Sequence, residues 1–276
     1  MRPDLATIGG LVLALAGIIG GLVLEKGKVQ DVAQVTAAII VIGGTLGAVM
    51  VTTPLRTLRG AVRKLPGIFM ESKQTPDAVI EQIIQYATMA RKNGIVSLED
   101  ETDSIDDPFL RKALSLAVDG TDLQELRRMM ELDIALEERR GEEESRVYEA
   151  AGGYAPTIGI IGAVLGLIQV MKHLANIDEV GRGIAVAFVA TVYGVASANI
   201  FFLPAGQKIK ARLQSALEVR ELLLEGVLSI AEGLNPKLIR IKLEAYAHGH
   251  PDPTSTSARS NTTARVLQAT QAATGD

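Results

Sequence analysis

The sequence predicts an all-α integral membrane protein with four transmembrane helices and a helical cytoplasmic domain. Three observations carry that expectation. Four uncharged apolar runs punctuate the chain, two near its start and two beyond its middle. The segments between and after them are charged and repeat apolar positions every three or four residues, with no alternating strand pattern in competition. Mean hydropathy is +0.23 although 22% of the residues are charged, so the apolar residues are concentrated in a few places.

Leu5–Leu24 holds 20 residues without a charge. At about 1.5 Å per residue it covers roughly 30 Å, the thickness of bilayer hydrocarbon. Val32–Val51 and Ile184–Leu203 are equally long and uncharged. Ala155–Met171 is shorter, at the lower limit for a span. A cleaved leader is the rival reading of the first run, with Arg2 as its charged start and Ala14-Leu15-Ala16 as a cleavage pattern. The apolar run continues to Leu24 with no polar start after Ala16, which favours a span.

Composition removes several function classes. The absence of Cys excludes disulfides, thiolate metal sites and a cysteine nucleophile. Three His and no Trp argue against a histidine metal cluster and against stacking on single-stranded nucleic acid. A net charge of −4 gives no basic footprint for nucleic acid. No phosphate-binding loop, zinc helix or serine nucleophile elbow is present, so no enzyme and no cofactor is expected.

Basic residues set the orientation. Arg56, Arg59, Arg63 and Lys64 follow the second run, and Lys208, Lys210 and Arg212 follow the fourth. The short connectors Glu25–Asp31 and Lys172–Gly183 balance their cations with acids. Both termini and the long middle segment of this multi-pass chain are therefore expected in the cytoplasm, and both short connectors outside it.

Within the soluble parts, Pro54–Leu65 reads as a basic amphipathic helix for the headgroup boundary, with Leu55, Leu58, Val62 and Leu65 on one side. Thr75-Pro76 starts a helix to about Asn93, with Gly94 as a left-handed cap. Leu98–Pro108 is acidic and partly loop, Phe109–Val118 is a short helix, and Thr121 with Gln124 reads as a capping box. The helix that follows runs through Glu149 with i,i+4 charge pairs, and Gly141 is expected to weaken it. Ala205–Glu232 is amphipathic. The tail from Gly249 is expected to be disordered: His248 and His250 read as solvated, and Asn261-Thr262-Thr263 is a glycosylation pattern without meaning in the cytoplasm. The expected domains are 1–53, 54–153, 154–204, 205–248 and the tail 249–276.

Each span carries small residues four apart: Gly17/Gly21, Gly43/Gly47, Gly162/Gly166 and Gly183/Ala187. That spacing lets helices approach closely in lipid and suggests a packed, multi-helix assembly. No span contains Asp, Glu, Lys, Arg or His. If the chain moves ions, the titrating group comes from a partner. The polar side chains within the spans include Thr157, Gln169, Thr191, Tyr193, Ser197 and Asn199, with Thr36 and Thr45. For Thr36, Thr45 and Ser197 the expected role is a bond to the helix backbone. Pro156 opens the third span, and Pro204 kinks or terminates the fourth.

Two spans, a charged helical segment, two spans and a basic helical end resemble the MotA/PomA family, the ion-channel subunit of the bacterial flagellar stator. YAPTIGIIGAVLGLIQVMKHL (Tyr154–Leu174) is similar to that family's third span, and GIAVAFVATVYGVASANIFFLPAGQKIK (Gly183–Lys210) to its fourth. ARKNGIVSLEDE (Ala90–Glu101) resembles its cytoplasmic RxxGxxxLE signature. The resemblance covers residues 1–247. It implies that Arg91 and Glu99 contact the rotor, a protein of the FliG type, and that Pro156 and Pro204 couple conformational change. It implies that Thr191 faces the intramembrane carboxylate of a MotB-type single-span partner, and that five copies surround a partner dimer. Sodium-driven relatives carry a threonine at the position of Ala163, so Ala163 implies proton coupling, with Thr157 and Tyr193 also along the ion pathway. The expected function is thus an ion-conducting stator subunit active in motility and chemotaxis. An ExbB/TolQ-type energiser and a non-conducting membrane scaffold are the competing readings.

Overall fold

A computed structural model describes residues 2–71 and 75–249. The expected tail, including His250 and the Asn261 pattern, lies outside the described residues, as does the side chain of His248. The helices are α1 (Leu5–Leu24), α2 (Val35–Thr52), α3 (Leu55–Ile68), α4 (Pro76–Asn93), α5 (Pro108–Val118), α6 (Leu123–Lys172), α7 (Ile177–Ala231) and α8 (Pro236–Gly249). Arg2–Pro3 pairs with Met70–Glu71 in a two-residue antiparallel bridge. Helices α1, α2, α6 and α7 are each long and apolar enough to cross a membrane.

One compact unit comprises Met1–Lys73 and Ala135–Leu217. Its α1 starts where the sequence predicts, because the Asp4 carboxylate accepts the Thr7 N–H at 3.0 Å and caps the first turn. The second span starts at Val35 rather than Val32. Val29–Val32 forms a separate turn, and the Tyr193 hydroxyl donates to the Val32 carbonyl at 2.5 Å and accepts from the Gln34 N–H at 3.3 Å, which fixes the break. The amphipathic α3 runs to Ile68 and buries Ala61 and Ile68 with Val147, Tyr148, Ala205 and Ile209. Tyr148 donates to the Ala61 carbonyl at 3.0 Å, and Ser145 to that of Gly206 at 2.9 Å.

Pro156 does not open a helix. It lies within the continuous, 50-residue α6, whose remaining backbone bonds carry the helix past the one missing N–H. Pro204 does not terminate the fourth span either. The chain widens into a π-helical stretch at Ser197–Phe202 just before it, and α7 continues. A proline ring clashes with the carbonyl four residues earlier, here Ile200, and the wide turn relieves that clash. A second π stretch, Ile39–Gly43, lies in α2. Gly141 is a packing position rather than a weak one: a Cβ there would stand 2.6 Å from Leu213 Cδ1. Ser197 bonds the Gly194 carbonyl at 3.2 Å as expected, whereas the buried Thr45 hydroxyl has no partner among the described residues, contrary to the backbone bond expected for it.

The other unit comprises Gln74–Ile134 and Glu218–Asp276. Thr75 caps α4 by accepting the Ala78 N–H at 3.3 Å. Gly94 has φ +85° but an extended ψ of 157°, so it turns the chain into the tight Ile95–Leu98 turn instead of closing a left-handed cap. Asp107 caps α5. At the start of α6 the capping oxygen belongs to Asp122, not Thr121; it accepts from Gln124 and Glu125. A carboxylate one residue nearer the helix reaches the free N–H groups directly. Ile80, Ile83, Leu98, Leu110, Leu126, Met130, Leu223, Leu228, Ile239 and Leu243 fill the core. Around it, Arg240 pairs with Glu81 at 2.6 Å and Arg127 with Glu225 at 3.3 Å, while Lys242 also reaches Glu225. Burial works against ionisation of Glu225, but Lys242 and Arg127 hold its carboxyl below the ordinary range.

Candidate functional site: the seam between the third and fourth spans

The apolar halves of α6 and α7 meet backbone to backbone. A Cβ on Gly194 would stand 2.6 Å from the Ala155 carbonyl oxygen, 3.1 Å from Gly159 Cα and 3.2 Å from Pro156 Cα. One on Gly159 would stand 2.9 Å from the Ala190 oxygen, and one on Gly166 2.8 Å from both Ala187 N and the Gly183 oxygen. The glycines face backbone and small side chains such as those of Ala187 and Ala190, so close dispersion contacts replace a hydrophobic drive that lipid cannot provide. The Gly162/Gly166 and Gly183/Ala187 pairs are thus used within the chain.

Two of the predicted pathway residues, Thr191 and Ala163, lie on or beside this seam. Thr191 lies at the contact, its Cα 3.5 Å from where a Gly159 Cβ would be. It is half-buried and donates to the Ala187 carbonyl at 3.2 Å. Its oxygen keeps lone pairs with which to accept. Thr157, two residues from Gly159 and therefore on the opposite face of α6, is exposed and donates to the Tyr154 carbonyl at 2.8 Å, so the fold does not bring it to the seam. Ala163 follows Gly162 and is half-buried. Tyr193 stands apart, committed to the start of α2 at Val32 and Gln34. Pro156 lies in the seam, and the exposed Pro204 lies beyond the π stretch. In the other unit, Arg91 and Glu99 are exposed on either side of Gly94 and make no ion pair among the described residues. The buried Leu98 next to Glu99 fixes that turn to the core.

Sequence reasoning missed two polar clusters. Asp4 is 8% exposed and pairs with Lys208 at 2.7 Å and Arg212 at 2.8 Å. Arg212 also donates to the carbonyls of Ile68 and Met70. The hydrogen bond from Lys208 and the capped Thr7 N–H hold the Asp4 carboxyl far below the usual carboxylate range. The second is Glu144, 6% exposed, 2.8 Å from Lys64 and pressed against Gly60, where a Cβ would stand 2.1 Å from Oε1. The only hint of the first was a lone acid immediately before an uncharged run. Among the described residues no three His or acidic side chains are grouped to hold a metal.

The comparisons with known proteins agree with this architecture. The model of the MotA/TolQ/ExbB proton channel family matches residues 101–222, and that of the motility protein A N-terminal region matches 8–94. Motility protein A of Helicobacter pylori is 38% identical over 249 residues, covering 90% of this chain and 97% of that protein. The chemotaxis protein PomA of Vibrio alginolyticus is 33% identical, covering 88% and 95%. The solved structure of C. jejuni MotAB is similar with a TM-score of 0.84 at 34% identity, over 91% of this chain and 98% of that one. The flagellar MotAB stator complex from Bacillus subtilis gives 0.80 at 36% identity, over 87% and 94%. The chain belongs to the MotA/TolQ/ExbB proton channel family. It is a multi-pass membrane protein and a flagellar stator subunit, not an enzyme.

Proposed function

We propose that this chain conducts protons through the flagellar stator together with a MotB-type single-span partner and passes the resulting motion to a FliG-type rotor protein. The observation that carries this reading is the α6–α7 seam, a closely packed wall with the Thr191 hydroxyl beside it and no ionisable side chain of its own. A lone charge in the bilayer costs at least ~2.5 kcal/mol, so a partner's carboxylate needs such a wall beside it. Five copies around a partner dimer would supply the wall on every side. Arg56, Arg59 and Arg63 beside the second span support an inner-membrane orientation with both termini cytoplasmic. The N-terminal motility protein A match and the four spans favour the stator over an ExbB/TolQ-type energiser.

Proton rather than sodium coupling rests on Ala163 and Thr191. A dehydrated sodium ion needs several oxygen ligands, and Ala163 offers a methyl group where a hydroxyl would be needed. In cells relying on this stator alone, swimming is expected to ignore external sodium and to stop when a protonophore is added. Swimming that follows sodium and survives the protonophore overturns the ion assignment. Thr191→Val keeps the shape and removes the hydroxyl; reduced ion flux with an intact complex is expected, and unchanged torque would leave Thr191 with its helix bond alone. Reversing both exposed charges, Arg91→Glu with Glu99→Arg, is expected to impair motility while insertion and partner binding persist. Normal swimming of that strain would remove both residues from the rotor contact.

A further inference from the structure

A cavity of about 330 Å³ lies in the first unit, between the start of α1, the end of α3 and the π-helical part of α7. Its volume is that of a small-ligand site, roughly 300–1,000 Å³. The walls are mostly apolar: Gly10 and Ala14 on one side, Phe69, Phe201 and Pro204 on the other. Gly10 has no heavy atom within 4 Å of a would-be Cβ, and α1 buries none of its residues, so this side is open space. Lys208 stands at the polar end. It lies just past the fourth apolar run, at the level expected for headgroups.

The charge at that end is not balanced. Asp4 faces two cations, Lys208 and Arg212, which leaves one positive charge over. Lys208 has three N–H donors and gives one to Asp4 at 2.7 Å. An apolar chamber at membrane depth with a partly satisfied ammonium at its mouth suits one chemical class. We propose that it holds an acyl chain of an anionic phospholipid, with the phosphate on Lys208. The π-helical stretch before Pro204 then has a second role, as the widened wall of the chamber. The proposal is independent of which ion the stator conducts.

The test uses the complex of the full chain with its MotB-type partner, purified in detergent and stripped of native lipid. Dioleoylphosphatidylglycerol or dioleoylphosphatidylcholine is added back, and retained lipid is counted by native mass spectrometry. Phosphatidylglycerol is expected to be retained several-fold over phosphatidylcholine, whose choline cancels the headgroup charge. Gly10→Leu fills the open space and is expected to lower phosphatidylglycerol to the phosphatidylcholine level in a complex of unchanged size; Ala14→Leu serves if the first variant does not assemble. In the unaltered complex, phosphatidylglycerol with a photoreactive tail should label the peptides that carry Ala14 or Phe201. Equal retention of the two lipids, retention unaffected by both substitutions, or label confined to other peptides would overturn the site. So would failure of both variants to assemble while the unaltered complex retains no lipid, which would assign the chamber to a helix of another chain.

Discussion

Gly17 and Gly21 in α1 stand four residues apart, as do Gly162 and Gly166 in α6. In α6 a Cβ on either glycine would collide with α7 at 2.8 Å. In α1 nothing lies within 4 Å of either. The fourth span is held by its backbone; the first is held by its polar end, where Asp4 joins Lys208 and Arg212 and the Asp4 N–H donates to the Phe69 carbonyl at 2.9 Å. One spacing thus has two uses. Where both helices present small residues at the same level, the chain closes on itself. Where a single helix presents them, the face stays open, and a charged latch fixes the helix from one end.

The comparison breaks most directly at Gly194. Three backbone atoms lie within 3.2 Å of its would-be Cβ, and backbone cannot move aside as a flexible side chain can. Gly194→Leu is expected to cost ~3 kcal/mol or more, at the upper end of overpacking penalties. Loss of folded complex on size-exclusion chromatography, with loss of motility, is the expected readout. A variant that assembles and swims would show that the seam is looser than its geometry.

Asp4→Asn addresses the other mode of attachment. It removes the anion that two cations share and is expected to cost ~1.5–3 kcal/mol, the range for hydrogen bonds to charged groups. The pH dependence has a fixed sign. The folded carboxyl titrates below its unfolded value, so the latch contributes fully above about pH 4 and fades as pH falls below that. The gap in melting temperature between the unaltered protein and Asp4→Asn should be constant from pH 8 to 5 and shrink below 4. A gap that closes between pH 8 and 6 would mean that Asp4 does not carry the latch.

These two sites also mark how far the sequence could be read. The bounds of α1, the start of α3, the Thr75 cap and the close packing of Gly162 and Gly183 follow from runs, periods and spacings, which are local properties. Pro156 and Pro204 misled because a proline's local cost is visible in sequence while its compensation is not. Thr45 misled for the same reason: burial decides whether a hydroxyl finds its backbone partner. Thr191 and Ala163 were placed by resemblance and fall along one seam, but only the fold separates Tyr193 from them, through bonds that span 161 and 159 residues of sequence. Asp4–Lys208 and Lys64–Glu144 join distant segments as well, and no local pattern announces such pairs.

The smallest effect is expected at Gly17, and it is the sharpest test of the contrast. Gly17→Leu places a large side chain where nothing lies within 4 Å and where the helix buries no residue. Leucine is the better helix former by somewhat less than ~1 kcal/mol, and in lipid its side chain meets no aqueous cost. The melting temperature of the chain in detergent should therefore stay unchanged or rise slightly. Two controls isolate the cause: Gly194→Leu destabilises through the backbone seam, and Asp4→Asn releases the polar end without touching the glycine face. A loss at Gly17 comparable to that at Gly194 would mean that α1 is packed through its glycines after all, and the distinction between an open and a closed small-residue face would fall.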